Sequence, residues 1–228
     1  MKSIRMRRGA ASLAAVSALC LTAAACGGSD EQKSEKAPKS DAKPLTLTQM
    51  KAGLVAPADL PAGFKAMEEG EAAGEHKADK KECQPIAAFM NQKVSDATVG
   101  GDIDLQSNDA MISQQVITFP GNGAQEFLKE AATALEECKA FSVKQDGEHV
   151  DVKVEKISGP KAGEESHAFR LKLKLETLSV EMETNLLVAR QGTGVTRIAH
   201  VPNNATGHKD FDELAGRAAN KFARAAQG

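Results

Sequence analysis

The chain has 228 residues, a formal net charge of −2, no Trp, no Tyr and four Cys. A mildly acidic chain lacks the basic footprint that nucleic-acid binding requires. No P-loop, dinucleotide fingerprint, Gly-x-Ser-x-Gly elbow or zincin-type His pair occurs, so the known motifs for phosphate, cofactor, hydrolase and metal chemistry are missing.

The chain begins with a basic segment (Lys2, Arg5, Arg7, Arg8) and then runs uncharged from Ala10 to Ala25. That run is shorter than the ~20 residues a membrane-spanning helix needs, and it fits the apolar region of an export signal. It ends Leu21-Thr22-Ala23-Ala24-Ala25-Cys26, followed by Gly27-Gly28-Ser29-Asp30. This segment resembles a bacterial lipobox, with Ala23 where Leu is usual. The resemblance implies a signal peptide over 1–25, cleavage before Cys26 and a diacylglyceryl group on its sulfur, holding the protein at the outer face of the cell membrane. The competing reading is an ordinary secreted protein cut nearby. Arg7-Arg8 is followed by Gly9 and Ala10, which makes a weak twin-arginine signal. Cleavage before Cys26 removes four basic and no acidic residues, taking the net charge from −2 to −6.

Residues 26–44 are Gly, Ser, Ala, Pro and mixed charges without a large apolar side chain, the composition of a disordered tether. The remaining 45–228 is enough for a single domain with its own core. A short turn or helix opens it at Leu45 to Met50. Two prolines and Gly63 make 54–64 an extended, turning segment in which Leu54, Leu60 and Phe64 dock on the domain. Residues 66–79 read as a polar surface loop.

Asp79 and Glu82 have capping-box spacing ahead of a helix whose apolar face is Cys83, Ile86, Ala87 and Met90. Residues 95–109 read as loop with at most a short strand. Ala110 to Phe119 is a strand rich in Ile, Val and Thr, stopped by Pro120-Gly121. After Asn122 the apolar set Phe127, Leu128, Ala131, Leu135 and Cys138 marks an amphipathic helix.

Strands then alternate: Phe141 to Lys144; Val150, Val152 and Val154; Phe169, Leu171, Leu173 and Leu175; Leu178, Val180, Met182 and Leu186; and Val195 to Val201. A tight turn at Glu176-Thr177 would set Leu175 opposite Leu178, Leu173 opposite Val180, Lys172 opposite Glu181 and Arg170 opposite Glu183, with the charged stripe facing solvent. The last helix, about Lys209 to Ala226, buries Phe211, Leu214, Ala215, Ala218, Phe222 and Ala225. Its early acids and late bases suit the helix dipole. The fold class is α+β: an antiparallel meander with amphipathic helices packed on one face.

With Cys20 lost in the signal and Cys26 lipidated, Cys83 and Cys138 remain, each on the apolar face of its helix in an oxidising setting. A disulfide between them is expected, the alternative being two buried free thiols. The five histidines (His76, His149, His167, His200, His208) read as solvated or loop residues, and the neighbouring Glu136-Glu137 and Glu164-Glu165 as solvated faces.

Five stretches carry a family resemblance: Asp59-Leu60-Pro61-Ala62-Gly63-Phe64, the Cys83-Gln84 helix, the Phe119 strand end with its helix to Cys138, the turn Gly163-Glu164-Glu165-Ser166, and Val188-Ala189-Arg190-Gln191-Gly192. Together they resemble actinobacterial sensor-domain lipoproteins related to the extracellular sensor domain of the mycobacterial kinase PknH, over most of residues 50–226. This chain lacks the cysteines for that domain's second disulfide, and has Glu136-Glu137 where a Trp is usual. The resemblance implies an antiparallel sheet, helices, a ligand-binding cleft and no catalysis.

The functional expectation is a membrane-anchored extracytoplasmic module that binds a small ligand, cell-wall component or partner protein, with no cofactor, metal or catalytic residue. The alternatives are a carrier of lipid or another apolar molecule, in a cavity between sheet and helices, and an unrecognised cell-envelope enzyme with His and carboxylate side chains converging in a cleft.

Overall fold

Strands account for most of the regular secondary structure among the described residues. In the computed structural model, described at residues 42–68, 75–145, 148–175 and 180–228, eight of them form one antiparallel sheet of order β1-β2-β3-β8-β7-β6-β5-β4. They are β1 (Lys65–Ala66), β2 (Thr98–Gln106), β3 (Ala110–Thr118), β4 (Ala140–Gln145), β5 (Glu148–Lys156), β6 (Glu165–Leu175), β7 (Val180–Gln191) and β8 (Gly194–Pro202). Four helices accompany them: α1 (Leu47–Ala52), α2 (Gln84–Ala87), α3 (Gly123–Glu137) and α4 (Phe211–Gln227). The described residues fall within one contact unit, Pro38–Gly228. The α+β antiparallel architecture is the one the alternating pattern calls for.

The helices, however, divide between the two faces of the sheet instead of sharing one. Along β7, Leu186 and Val188 pack into the core that holds α3, whereas Leu187 and Ala189 pack into the core that holds α4. A strand covered on both faces cannot show alternation, and residues 185–189 are buried without a break. β4 and β5 bury only one set, Phe141, Val143, Val150, Val152 and Val154, and leave the other face to solvent.

The β6–β7 register also differs from the sequence expectation. Leu175 pairs with Val180, Leu173 with Met182, Lys172 with Glu183 and Lys174 with Glu181, while Arg170 lies opposite Asn185. The loop is two residues longer than a tight turn at 176–177, and Leu178 lies outside the described residues. A shift of two keeps every side chain on its face, so apolar residues still meet apolar ones and opposite charges still meet.

Two further departures have local causes. Residues 98–106 form a full strand, β2, next to the short edge strand β1, and its Gly-Gly and Asp residues hide the strand pattern. A bulge at Gly101, with φ of 150°, lets it bend. Asp79 does not cap the Cys83 helix; its carboxylate accepts from the Ser142 amide (2.8 Å), and Ala78 bridges Val143, so residues 78–79 cover the exposed edge of β4.

Small residues bring α4 close to the sheet. Ala215, Ala218 and Ala219 face Ala168 and Ala189, and a Cβ on Gly159 would stand 2.4 Å from the Ala168 Cβ. Phe211, Leu214 and Phe222 are buried along the same face, each contributing on the order of 1.5–3 kcal/mol. Among the described residues no helix is long and apolar enough to cross a membrane.

Candidate ligand-binding cleft

A cleft of about 950 Å³ opens between α2 and α3. That volume lies within the usual range for small-molecule sites. One wall is α2, flanked by single 3-10 turns at Lys81–Cys83 and Ala88–Met90, and then the loop 91–96. Pro85, early in α2, lacks an N–H that the first turn does not need. The chain leaves the helix at Asn91, which adopts extended geometry. The opposite wall is the first half of α3. Pro120-Gly121 turns the chain off β3, with Gly121 at φ 58°. Gly123 leaves room for Phe119: a Cβ there would lie 2.9 Å from the Phe119 Cβ.

The cleft has an aromatic floor. The rings of Phe89 and Phe127 lie 5.4 Å apart, those of Phe119 and Phe127 5.3 Å, and Phe89 meets Phe169 edge-on at 5.3 Å. Phe127 is part-exposed, Phe89 and Phe119 nearly covered. The rim carries Glu75, Lys81, Lys93, Asp96, Glu126 and Glu130.

Cys83 and Cys138 form a disulfide, with Cα atoms 5.1 Å apart. It joins the start of the α2 segment to the end of α3, so the two walls are covalently tied at one end. Cys26 lies outside the described residues.

Beneath the α2 wall sits a buried cation. Arg197 of β8 is 7% exposed; it donates to the main-chain oxygens of Ala88 (3.0 Å) and Asn91 (2.8 Å) and to the Gln115 side-chain oxygen. Gln115 in turn donates to the Gln92 oxygen at 2.9 Å. Arg197 Nε has no partner among the described residues, and burial alone lowers the pKa of the group to about 10. Asn91 Oδ1 accepts from the His76 amide (2.6 Å) and lies 3.1 Å from His76 Nδ1. The inner wall is therefore held by side chains from β8, β3 and the segment before α2. Gln114, the neighbour of Gln115, turns to the other face and binds Gly53 O and Val55 N.

The histidine expectation is corrected at two positions. His76 is 4% exposed and His200 fully buried. His200 lies beneath α4, its ring 5.8 Å from that of Phe211. Arg170 Nε donates to Asn185 Oδ1 at 2.8 Å; Asn185 Nδ2 lies 3.5 Å from His200 Nδ1, and His200 Nε2 is unpartnered among the described residues. Glu183 stands 3.1 Å from Arg170 and 3.3 Å from His208, so His200 and His208 do share a neighbourhood. Burial, the nearby His208 and an opposing pull from Glu183 leave the pKa of His200 lowered to about 4. The strip has relay-type residues, but its imidazole is sealed from solvent. Among the described residues no three His, Cys, Asp or Glu are grouped to hold a metal.

The paired glutamates behave as surface groups: Glu136 meets Lys156, and Glu164 meets Arg190. The layers between sheet and helices, where an apolar carrier's cavity was expected, contain interlocked Phe, Leu, Val and Ala. The cleft opens at the margin of the α3 layer and shares Phe89, Phe119 and Ala131 with it. Arg197 and Gln115 carry no mark of burial in the sequence, since a polar residue in a strand also fits a solvent-facing position.

No family model matches the chain, and no curated protein matches it by sequence. Solved structures do match. The extracellular domain of PknH from Mycobacterium tuberculosis has 13% identity and a TM-score of 0.56, covering 81% of this chain and 98% of that one. An uncharacterised protein of Mycobacterium smegmatis has 11% identity and a TM-score of 0.45, covering 80% of this chain and 98% of the other. The chain thus shares the fold of that PknH extracellular domain. Its resemblance to the PknH domain is one of fold.

Proposed function

We propose that the chain is an extracytoplasmic, sensor-like binding module, non-catalytic, carried at the membrane by a lipid on Cys26. The α2–α3 cleft is its ligand site. The observation that carries this reading is a cleft whose walls are fixed before any ligand arrives, at one end by Cys83–Cys138 and at its inner side by Arg197. A site ordered in advance loses little entropy on binding. The likeness to the PknH domain supports the extracytoplasmic setting. Two or more acyl chains on Cys26 would hold the module stably, at about 0.8 kcal/mol per buried methylene. Residues 27–44 then act as the tether.

The filled layers between sheet and helices count against the apolar carrier, and the sealed His200 counts against an enzyme built on the α4 strip. Native mass spectrometry of the purified protein tests the reading: a small molecule that co-purifies and is lost on Phe127→Ala supports it, and one indifferent to that change counts against the cleft. Globomycin tests the anchor, since it should accumulate uncleaved precursor; unchanged processing rules out lipidation at Cys26.

A further inference from the structure

A second depression of about 430 Å³ continues the cleft along the outer side of α3, sharing Lys81, Pro85, Glu126 and Glu130 with it. The two make one trough with unlike ends. The inner end has the Phe89, Phe119 and Phe127 rings. The outer end is bounded by Glu82, Thr133 and Glu137. On α3, Glu126, Glu130, Thr133 and Glu137 share one face at helical spacing, next to Phe127.

Several carboxylates elsewhere on the surface are matched to bases. Asp59 pairs with Lys221, Glu136 with Lys156, Glu155 with Lys172, Glu183 with Arg170 and Glu213 with Arg217. Glu82, Glu126, Glu130 and Glu137 make no ion pair among the described residues, and the lysines lining the outer end are Lys81 and Lys129. Four unmatched carboxylates against two lysines leave that end negative, beside rings whose faces also attract cations.

We infer that the trough takes an organic cation with an apolar or aromatic arm, the arm lying on Phe127 and the ammonium along Glu126 and Glu130. This rests on the cleft being the ligand site. The acidic rim alone would hold any cation weakly, and the aromatic floor alone would take any apolar group. Their contiguity selects molecules carrying both at one end and the other.

The test uses the chain 26–228 with Cys26→Ser, titrated by NMR at low salt with benzyltrimethylammonium, toluenesulfonate and benzyl alcohol. Benzyltrimethylammonium should shift the amides of Phe127, Glu130 and Ala88 and bind about fivefold or more tighter than toluenesulfonate, a size set by exposed charge pairs and cation–π contact. Glu126→Gln with Glu130→Gln should remove that preference and leave benzyl alcohol binding unchanged. Toluenesulfonate binding equally well at the same amides overturns the ligand class while the cleft stands. Failure of all three probes to shift cleft amides overturns the cleft itself and the inference with it.

Discussion

Arg197 donates a hydrogen bond to the main-chain oxygen of Asn91 at 2.8 Å, from a strand 106 positions later in the chain. The Asn91 side chain meanwhile accepts from the His76 amide. One residue is thus gripped from below by the sheet and from the side by the preceding segment. Removing the guanidinium leaves three acceptors without this donor, Gln115 Oε1 buried and the Ala88 and Asn91 oxygens part-buried. Arg197→Met should lower stability by about 3 kcal/mol, since charge-assisted bonds are worth ~1.5–3 kcal/mol each and do not add fully. Arg197→Lys should not rescue, because an ammonium cannot span the planar fork. Hydrogen exchange should accelerate first at residues 88–92. Uniform acceleration across the sheet would show that Arg197 supports the core and not the cleft wall.

The disulfide acts on the same wall from its other end. It spans 55 positions, for which loop-closure entropy gives roughly 4 kcal/mol. Cys83→Ser with Cys138→Ser should lower the denaturation midpoint accordingly, followed by circular dichroism because the chain has no Trp or Tyr. Residues 81–90 should lose exchange protection before β6 and β7 do. Equal loss in β6 and β7 would mean the bond stabilises the whole unit and does nothing particular for the α2–α3 walls.

His200 should make the protein acid-sensitive. Its folded pKa is lowered to about 4 against an ordinary 6.5. Between those values the unfolded chain binds the proton and the folded one does not. The stability it confers is therefore complete above pH 6.5, falls as pH drops toward 4, and levels off below. The groups facing it are Asn185 and Glu183 on β7, Arg170 on β6, His208 in the loop before α4 and the Phe211 ring. Between pH 7 and pH 4.5 the loss should be on the order of 2–3 kcal/mol. His200→Leu, which keeps the site filled, should flatten that part of the profile. An unchanged slope in the variant would assign the acid sensitivity to other groups.

Sequence pattern resolved what depends on period and missed what depends on who covers whom. Leu171, Leu173 and Leu175 alternate with Arg170, Lys172 and Lys174 because β6 buries one face over that stretch, and that parity is the same in the expected and the observed register. Parity is what the core enforces; loop length is free to vary by two without moving any side chain across the sheet. The unbroken run 185–189 carries no such parity, so the second helix layer was hidden. Cys83 and Cys138 were legible because oxidation leaves few partners. Arg197, Gln115 and His200 were not, since a polar residue in a strand looks solvated until the element above it is placed. The cleft was legible only through the family likeness; its floor draws Phe89, Phe119 and Phe127 from three separate elements.

Two glycines separate crowding from backbone strain. Gly159 has an ordinary φ, but a Cβ there would meet the Ala168 Cβ at 2.4 Å, under α4 and near the Phe211 ring. Neither neighbour is a flexible side-chain end, so the 158–162 segment must move off the sheet. Gly159→Val should cost about 1–3 kcal/mol, as overpacking does. Gly192, in the turn between β7 and β8, has φ 58° and nothing within 4 Å of an added Cβ. Gly192→Ala should cost only the left-handed backbone penalty, about 1 kcal/mol, and Gly192→Asn should recover most of it. Urea midpoints would check both. If Gly159→Val were tolerated while Gly192→Ala was severe, the close approach of α4 to the sheet would not be a constraint on this fold.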